Sequence, residues 1–246
     1  MATSRTARKS KRTATRVTIT ARPRESAENS ALAARPRRIF LLSPANAGGL
    51  RAKMILSDRA QFALAARLRQ EGLPLGEIFS FISGLYFRGK LAYAQAFASP
   101  MDGEARSFVI TAGGGLIPPE TLFTIDMLRE ISSVPIEAKE ARYREPLERD
   151  ARRLRERLGA ACDVVLLGSV ATPKYVEPLL GIFGERLMFP AEFAGRGDMS
   201  RGGLMLRCAR AGEELAYVPV ATAVLHGPRP PKLPKLPRYA TASAGT

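Results

Sequence analysis

The stretch Asp163-Val164-Val165-Leu166-Leu167-Gly168 decides the fold, because it is short and almost continuously apolar. Such a run is typical of a β-strand buried on both faces, as in a parallel sheet. Three similar runs lie at residues 39–43, 107–111 and 186–189, and helical sequence separates each run from the next. This order predicts parallel strands joined by right-handed crossovers. We therefore predict an α/β fold, a three-layer α/β/α sandwich with a short, mainly parallel sheet of four to five strands.

The net charge of +15 is concentrated at the two ends of the 246-residue chain. Residues 1–38 hold eleven Lys or Arg against two Glu, a net charge of +9, and residues 226–246 add a net +4. The first segment has too little apolar sequence to fold, and the last is rich in proline. We therefore predict a disordered basic tail over residues 1–38, a single α/β domain over residues 39–225, and a Pro-rich basic tail over residues 226–246.

Cationic tails bind polyanions through phosphate contacts, so nucleic acid, either tRNA or DNA, is the predicted partner of the tails. The alternative is that they only keep the protein in solution. No apolar run approaches the roughly 18–20 residues of a membrane span, so no membrane partner is expected. Cys162 and Cys208 lie in apolar sequence and are predicted to be reduced core residues of a cytoplasmic protein. Organelle transit peptides share the composition of the basic N-terminal segment, so a targeting role stays open. The oligomeric state is open too.

Histidine and cysteine are too scarce for several kinds of site. His226 is the single histidine and begins the Pro-rich tail, which argues against a Ser-His-Asp hydrolase. Two cysteines and one histidine, widely spaced, predict no metal site, and nothing in the sequence indicates a cofactor.

Four loops are predicted to share one rim of the sheet, because the loops that follow parallel strands leave from the same edge, where ligands bind. They are residues 43–51, 111–120, 169–175 and 189–203, all rich in Gly, Ser, Thr, Asn, Arg or Lys. The last includes Gly195-Arg196-Gly197-Asp198-Met199-Ser200-Arg201-Gly202-Gly203, which we interpret as a Gly-rich turn. Such a turn lets backbone N–H groups approach a ligand, and arginine suits an anion.

Two carboxylates are candidates for a catalytic acid or base. Asp198 and Glu192 are those candidates, although Glu192 could be a plain surface carboxylate and Asp198 could simply pair with neighbouring arginines. Asn46 suits hydrogen bonding to a base edge, and Tyr86 or Tyr175 suits stacking on a base. The other predicted substrate-binding residues are Ser43, Arg51, Arg88, Gly114, Ser169, Lys174, Arg196, Ser200 and Arg201.

Residues 73–98 predict one or two helices, with glycines at positions 84 and 89 where the chain could break. Arg88 and Lys90 are polar residues in this apolar stretch. Either their stems cover apolar surface while their charged ends reach water, or both residues face the site.

Three motifs resemble known proteins: Leu42-Ser43-Pro44-Ala45-Asn46, then Leu85-Tyr86-Phe87-Arg88-Gly89-Lys90-Leu91-Ala92-Tyr93-Ala94, then Val109-Ile110-Thr111-Ala112-Gly113-Gly114-Gly115-Leu116-Ile117-Pro118-Pro119-Glu120. In this order they resemble a family of uncharacterised bacterial proteins. More distantly, the pattern is similar to the uracil-DNA-glycosylase-like α/β domain of archaeosine synthases and related tRNA-guanine transglycosylase proteins. The resemblance covers roughly residues 39–190. It implies an α/β/α sandwich and a link to nucleobases, but no activity, because the glycosylase catalytic motifs are absent.

Three hypotheses of function follow. The first is a nucleic-acid-associated protein whose cleft binds or processes a nucleobase. The second is an enzyme acting on a small nucleotide or phosphorylated metabolite. The third is a non-catalytic interaction module. An enzyme of this kind would be a hydrolase or transferase acting on an N-glycosidic or phosphate-containing substrate.

Overall fold

The computed structural model describes residues 37–100, 102–171, 173–223, 230, 231 and 233. Nearly all of the two predicted basic tails, and His226 with them, therefore lie outside the described residues. The folded domain was predicted to begin at residue 39, and the first strand begins two residues earlier, at Arg37.

Eight strands and eight α-helices occur within the described ranges. The strands are β1 (Arg37–Leu42), β2 (Leu73–Pro74), β3 (Ser107–Thr111), β4 (Gly115–Ile117), β5 (Leu122–Phe123), β6 (Cys162–Leu167), β7 (Leu187–Pro190) and β8 (Tyr217–Pro219). The helices are α1 (Leu50–Leu56), α2 (Ala63–Gln70), α3 (Leu75–Ser83), α4 (Leu85–Phe97), α5 (Ile125–Ser132), α6 (Ala141–Leu158), α7 (Pro173–Phe183) and α8 (Asp198–Ala211).

The main sheet has six strands in the order β4-β3-β1-β6-β7-β8, so the prediction of a mainly parallel α/β sheet is confirmed. Four neighbouring strands, β3, β1, β6 and β7, run parallel, and the two edge strands are antiparallel to their neighbours. The number of strands was underestimated. The additional strand, β4, has three residues and turns straight back onto β3 inside what the sequence presents as a glycine loop.

The two central strands explain why the apolar runs were informative. The four residues of β1 from Ile39 to Leu42 and the four of β6 from Val164 to Leu167 have no solvent exposure. Because both faces of these strands are covered, nearly every position must be apolar. The buried run continues one residue beyond β1 to Ser43, which is only 4% exposed.

The helices differ from prediction mainly at their ends. The break at Gly84 is confirmed, with a positive φ of 58°, whereas α4 runs on through position 89. The sequence around Ser57 and Asp58 predicts a helix that runs to about Glu71, but α2 begins only at Ala63, and the separate helix α1 before it was not predicted. The charged stretch from Glu145 to Leu158 predicts a helix, and α6 begins four residues before it, at Ala141.

The glycine-rich stretch of residues 195–203 is only partly a turn, which corrects the sequence interpretation. Helix α8 begins at Asp198 and contains Gly202. A Cβ atom on Gly202 would lie 2.7 Å from the carbonyl oxygen of Leu85, and one on Gly89 would lie 2.6 Å from the carbonyl oxygen of Gly202. These two glycines therefore let α4 and α8 approach backbone to backbone, rather than bringing backbone to a ligand.

Both cysteines are buried and unpaired, as predicted. Burial raises the pKa of the Cys162 thiol to about 11, so it is protonated at neutral pH. No helix in the described ranges is both long enough and apolar enough to cross a bilayer.

Candidate active site

A cavity of about 740 Å³ opens at the carboxyl ends of the four parallel strands; we call it the cleft. Each of these strands supplies lining residues from the segment that follows it: residues 43–48 after β1, Ala112 after β3, Ser169 with Lys174 and Tyr175 after β6, and Asp198 after β7. Ser83, Tyr86 and residues 132–136 complete the lining. The rim predicted from the strand order therefore does enclose a cavity.

Ser43 and Lys90 form a buried pair beside the cleft. The Lys90 Nζ atom donates hydrogen bonds to the Ser43 carbonyl oxygen at 2.8 Å and to Ser43 Oγ at 2.7 Å. Lys90 has no solvent exposure, while Ser43 lines the cleft. The pair exists because β1 ends at Leu42, directly before the serine, and α4 places its lysine against that end of the strand.

The Lys90 amine sits in apolar and aromatic surroundings. Its Nζ atom lies 3.9 Å from the ring centroid of Tyr86 and 5.5 Å from that of Phe87. No carboxylate among the described residues forms an ion pair with it. Burial lowers the pKa of Lys90 to about 7, with Arg201 lowering it further and Asp198 opposing the shift. At neutral pH a substantial fraction of this amine is therefore uncharged and able to accept a proton.

The Tyr86 hydroxyl is a second unusual group at the cleft. It is buried and has no hydrogen-bond partner of good geometry among the described residues, although Ser43 and Arg201 lie close enough to lower its pKa slightly. Burial dominates and raises the pKa of Tyr86 to about 12. The phenol is therefore a protonated donor at neutral pH that no protein acceptor in the described chain uses fully.

Tyr175, Lys174 and Asn46 complete the polar part of the cleft. Burial raises the pKa of Tyr175 above its usual range, and the neighbouring Tyr86 adds to the shift. Lys174 Nζ lies 5.1 Å from the Tyr175 ring centroid. Asn46 is exposed, and its Oδ1 atom accepts a hydrogen bond from the Gly48 N–H at 3.0 Å, which shapes the turn after β1. The cleft thus offers two phenols, an ammonium and an amide.

Asp198 lies at the mouth of the cleft and is largely exposed. Arg201 does not line the cleft. Its Nε and Nη2 atoms donate to the carbonyl oxygen of Phe193 at 3.2 and 3.1 Å, and its Nη1 atom is 3.8 Å from the Asp198 carboxylate. Arg201 therefore fixes the segment before α8, while the carboxylate stays available at the rim.

Besides Arg201, six of the predicted site residues lie outside the cleft lining. Arg196 and Ser200 bond to each other at 3.3 Å and border a separate cavity of about 610 Å³. Glu192 is exposed, and its Oε1 atom accepts a hydrogen bond from the Ala216 N–H at 3.5 Å. The remaining three are Arg51, which donates to the Phe81 carbonyl oxygen, Arg88, which is exposed, and Gly114, which borders a different cavity.

Lys90 is the residue that sequence reasoning failed to place at the site. Of the two alternatives for the apolar stretch, Arg88 follows the first and reaches solvent, whereas Lys90 is fully buried. Its position in the sequence was the available indication. Phe87 and Tyr93 are three positions from Lys90, and Tyr86 and Ala94 are four, so Lys90 belongs to the buried face of the helix. A lysine on such a face needs an acceptor inside the protein.

No group of three or more His, Cys, Asp or Glu side chains in the described ranges is arranged to hold a metal ion. Comparison with known proteins gave no match to a family model, to a curated protein or to a solved structure. The fold and the cleft geometry are therefore the basis for any statement about function.

Proposed function

We propose that this chain is a nucleic-acid-associated protein that binds a nucleobase or nucleoside in the cleft. We further propose that its helices and sheet form a three-layer sandwich of the uracil-DNA-glycosylase-like type. The observation that carries the proposal is the cleft itself, which joins aromatic and polar side chains at the carboxyl ends of four parallel strands.

The size and chemistry of the cleft support this choice of ligand. Its volume of about 740 Å³ lies within the range of about 300–1,000 Å³ that is typical of small-molecule sites. Tyr86 and Tyr175 are mostly buried and contribute aromatic side chains to its wall. Asn46 and Ser169 offer side chains that suit the hydrogen-bonding edge of a base.

The basic ends support the link to nucleic acid. Residues 1–38 and 226–246 carry most of the net positive charge, while the intervening chain is nearly neutral. Contacts of the tails with phosphates would therefore supply affinity, and the cleft would supply selectivity.

Binding measurements on the full chain test both parts of the proposal. Isothermal titration with free bases, nucleosides and nucleoside monophosphates should give saturable binding that weakens in the variant Tyr175→Ala. Arg106→Ala is the matched control, because this residue lies at the opposite end of the sheet, where its Nη1 atom bonds to the carbonyl oxygen of Gln95 at 3.3 Å. Absence of binding by every base-containing ligand would reject the cleft proposal.

The tails are tested with tRNA and duplex DNA at several salt concentrations. Neutralising Arg229, Lys232, Lys235 and Arg238 to Gln in the full chain should lower the slope of log affinity against log salt by up to about 4. Binding of mononucleotides without any binding of nucleic acid would favour the second hypothesis, an enzyme that acts on a small nucleotide.

A further inference from the structure

We propose that Ser43 is a catalytic nucleophile and Lys90 its proton acceptor, and that the cleft hydrolyses an ester or amide bond in its ligand. The juxtaposition behind this proposal is a serine hydroxyl at the cleft, 2.7 Å from a fully buried lysine amine. The inference rests on the proposed function in one respect, that the same cleft receives the substrate.

The position of Ser43 suits a nucleophile. The residue follows β1 directly, and its backbone N–H donates to the Leu167 carbonyl oxygen at 3.1 Å, which fixes it at the carboxyl ends of the two central strands. Its hydroxyl has space because residue 168 is a glycine. A Cβ atom at that position would lie 2.9 Å from Ser43 Cβ and 3.1 Å from Ser43 Oγ. The glycine directly after β6 therefore leaves the room that the Ser43 side chain occupies.

Lys90 suits the role of base because no carboxylate among the described residues forms an ion pair that would hold its amine in the charged form. The ionisable side chains that influence it are Tyr86 on its own helix, and Asp198 and Arg201 on α8. Desolvation lowers the pKa of the amine toward neutrality, and the uncharged amine has a lone pair that can accept the proton of the Ser43 hydroxyl across the same 2.7 Å contact. The bond to the Ser43 carbonyl oxygen orients the amine toward the hydroxyl. A serine activated by a lysine is an established variant of the hydrolase triad.

Tyr86 supplies a hydrogen-bond donor for negative charge. Its buried hydroxyl has no good protein partner in the described chain, so it can donate to the oxygen that becomes negative when a carbonyl is attacked. Phosphoryl transfer would require several cations around the reacting group. Lys174 is the one lysine or arginine that lines the cleft within the described ranges. The cleft therefore suits an acyl group better than a phosphoryl group.

The reaction balances without a further cofactor. Ser43 Oγ forms a bond to the acyl carbon while its proton passes to Lys90 Nζ. The bond to the leaving oxygen or nitrogen then breaks, and Lys90 returns the proton to that atom. Water attacks the acyl-serine, transfers a proton through Lys90 to Ser43 Oγ, and releases the acid. Tyr86 donates to the carbonyl oxygen throughout.

A fluorophosphonate probe tests the proposal on the full chain, because an activated serine displaces fluoride from phosphorus and keeps the label. Intact mass and peptide mapping should show one label on Ser43, and Ser43→Ala should lose it. Ser107→Ala is the matched control. Ser107 is a buried serine at the amino-terminal end of β3, the strand beside β1, and this variant should be labelled like the unmodified chain. A chain that takes no label, or that takes it on another residue, would overturn the proposal.

Two further variants separate chemistry from folding. Lys90→Met should slow labelling at pH 8 by about 100-fold or more, and Tyr86→Phe, which keeps the ring, by about 100-fold. If Lys90→Met does not fold, the pH profile of the unmodified chain decides. A labelling rate that rises and levels off near pH 7–8 supports the base, and a rate that keeps rising to pH 10 contradicts it. Labelling without nucleobase binding would reject the proposed function alone, and nucleobase binding without labelling would reject this inference alone.

Discussion

Replacing Lys90 with Met should change how the free energy of unfolding depends on pH. In the folded chain the pKa of Lys90 is about 7, and in the unfolded chain it returns to 10.5. Between these values the unfolded state holds one more proton than the folded state. The stability of the unmodified protein therefore rises with pH across this window and is lost as pH falls.

The magnitude follows from the two pKa values. One unit of pKa corresponds to about 1.4 kcal/mol, so the Lys90 contribution to stability should grow by about 2.5 kcal/mol between pH 7.5 and 9.5. The methionine variant has no amine to titrate, so its free energy of unfolding lacks this increase. It also leaves the Ser43 carbonyl and hydroxyl without their lysine partner, which costs about 1–3 kcal/mol at any pH.

Urea unfolding at several pH values measures both effects. The control is Lys53→Met, which removes an exposed lysine on α1 and should give a curve parallel to that of the unmodified protein. If Lys90→Met also gives a parallel curve, the amine is charged in the folded protein at pH 7.5, and the reasoning about the buried base fails.

Two glycine substitutions and one pH measurement test the surrounding geometry. Gly168→Ala should push Ser43 Oγ away from Lys90 and slow labelling by the fluorophosphonate probe at least about 10-fold. Gly181→Ala is the control, because a Cβ atom there meets open space, and it should not slow labelling. Equal labelling rates for the two variants would contradict the packing argument. Gly202→Ala should lower the free energy of unfolding in urea by about 1–3 kcal/mol, because its Cβ atom would meet the α4 backbone. Gly203→Ala is the control, since a Cβ atom there makes only an ordinary contact, and an equal effect of the two variants would argue against the close helix contact. Titration of phenolate absorbance in the ultraviolet should show Tyr86 ionising near pH 12, because burial disfavours its charged form. The transition that disappears in the variant Tyr86→Phe is the one that belongs to Tyr86.

The parallel core could be predicted from sequence because its strands are buried on both faces. Such strands leave a run of apolar residues, as at β6, and the residues after each run then fall on one edge. The edge strand β4 could not be predicted because three residues around a tight turn leave no periodic pattern. A glycine can permit a turn or a close contact between helices, and the sequence does not distinguish the two. Gly202 permits a close helix contact, although its neighbours in the sequence suggested a ligand-binding loop.

The candidate site was predictable in part. Ser43, Asn46, Tyr86, Ser169, Lys174, Tyr175 and Asp198 were all singled out from the sequence, and all line the cleft. The arginines were harder to place, because a guanidinium bonds as readily to backbone carbonyls as to a ligand, as Arg201 does. Lys90 could not be assigned because its role depends on a partner 47 residues away along the chain.

The central claim is that the cleft formed by these strands is where the protein binds its ligand. Backbone amide chemical shifts of the full chain during a nucleoside titration test it most directly. We predict that the largest changes fall on residues 43–48, residues 169–175 and Asp198, and that they saturate together with one affinity. Changes confined to the basic tails, or spread over the chain without saturation, would contradict the claim.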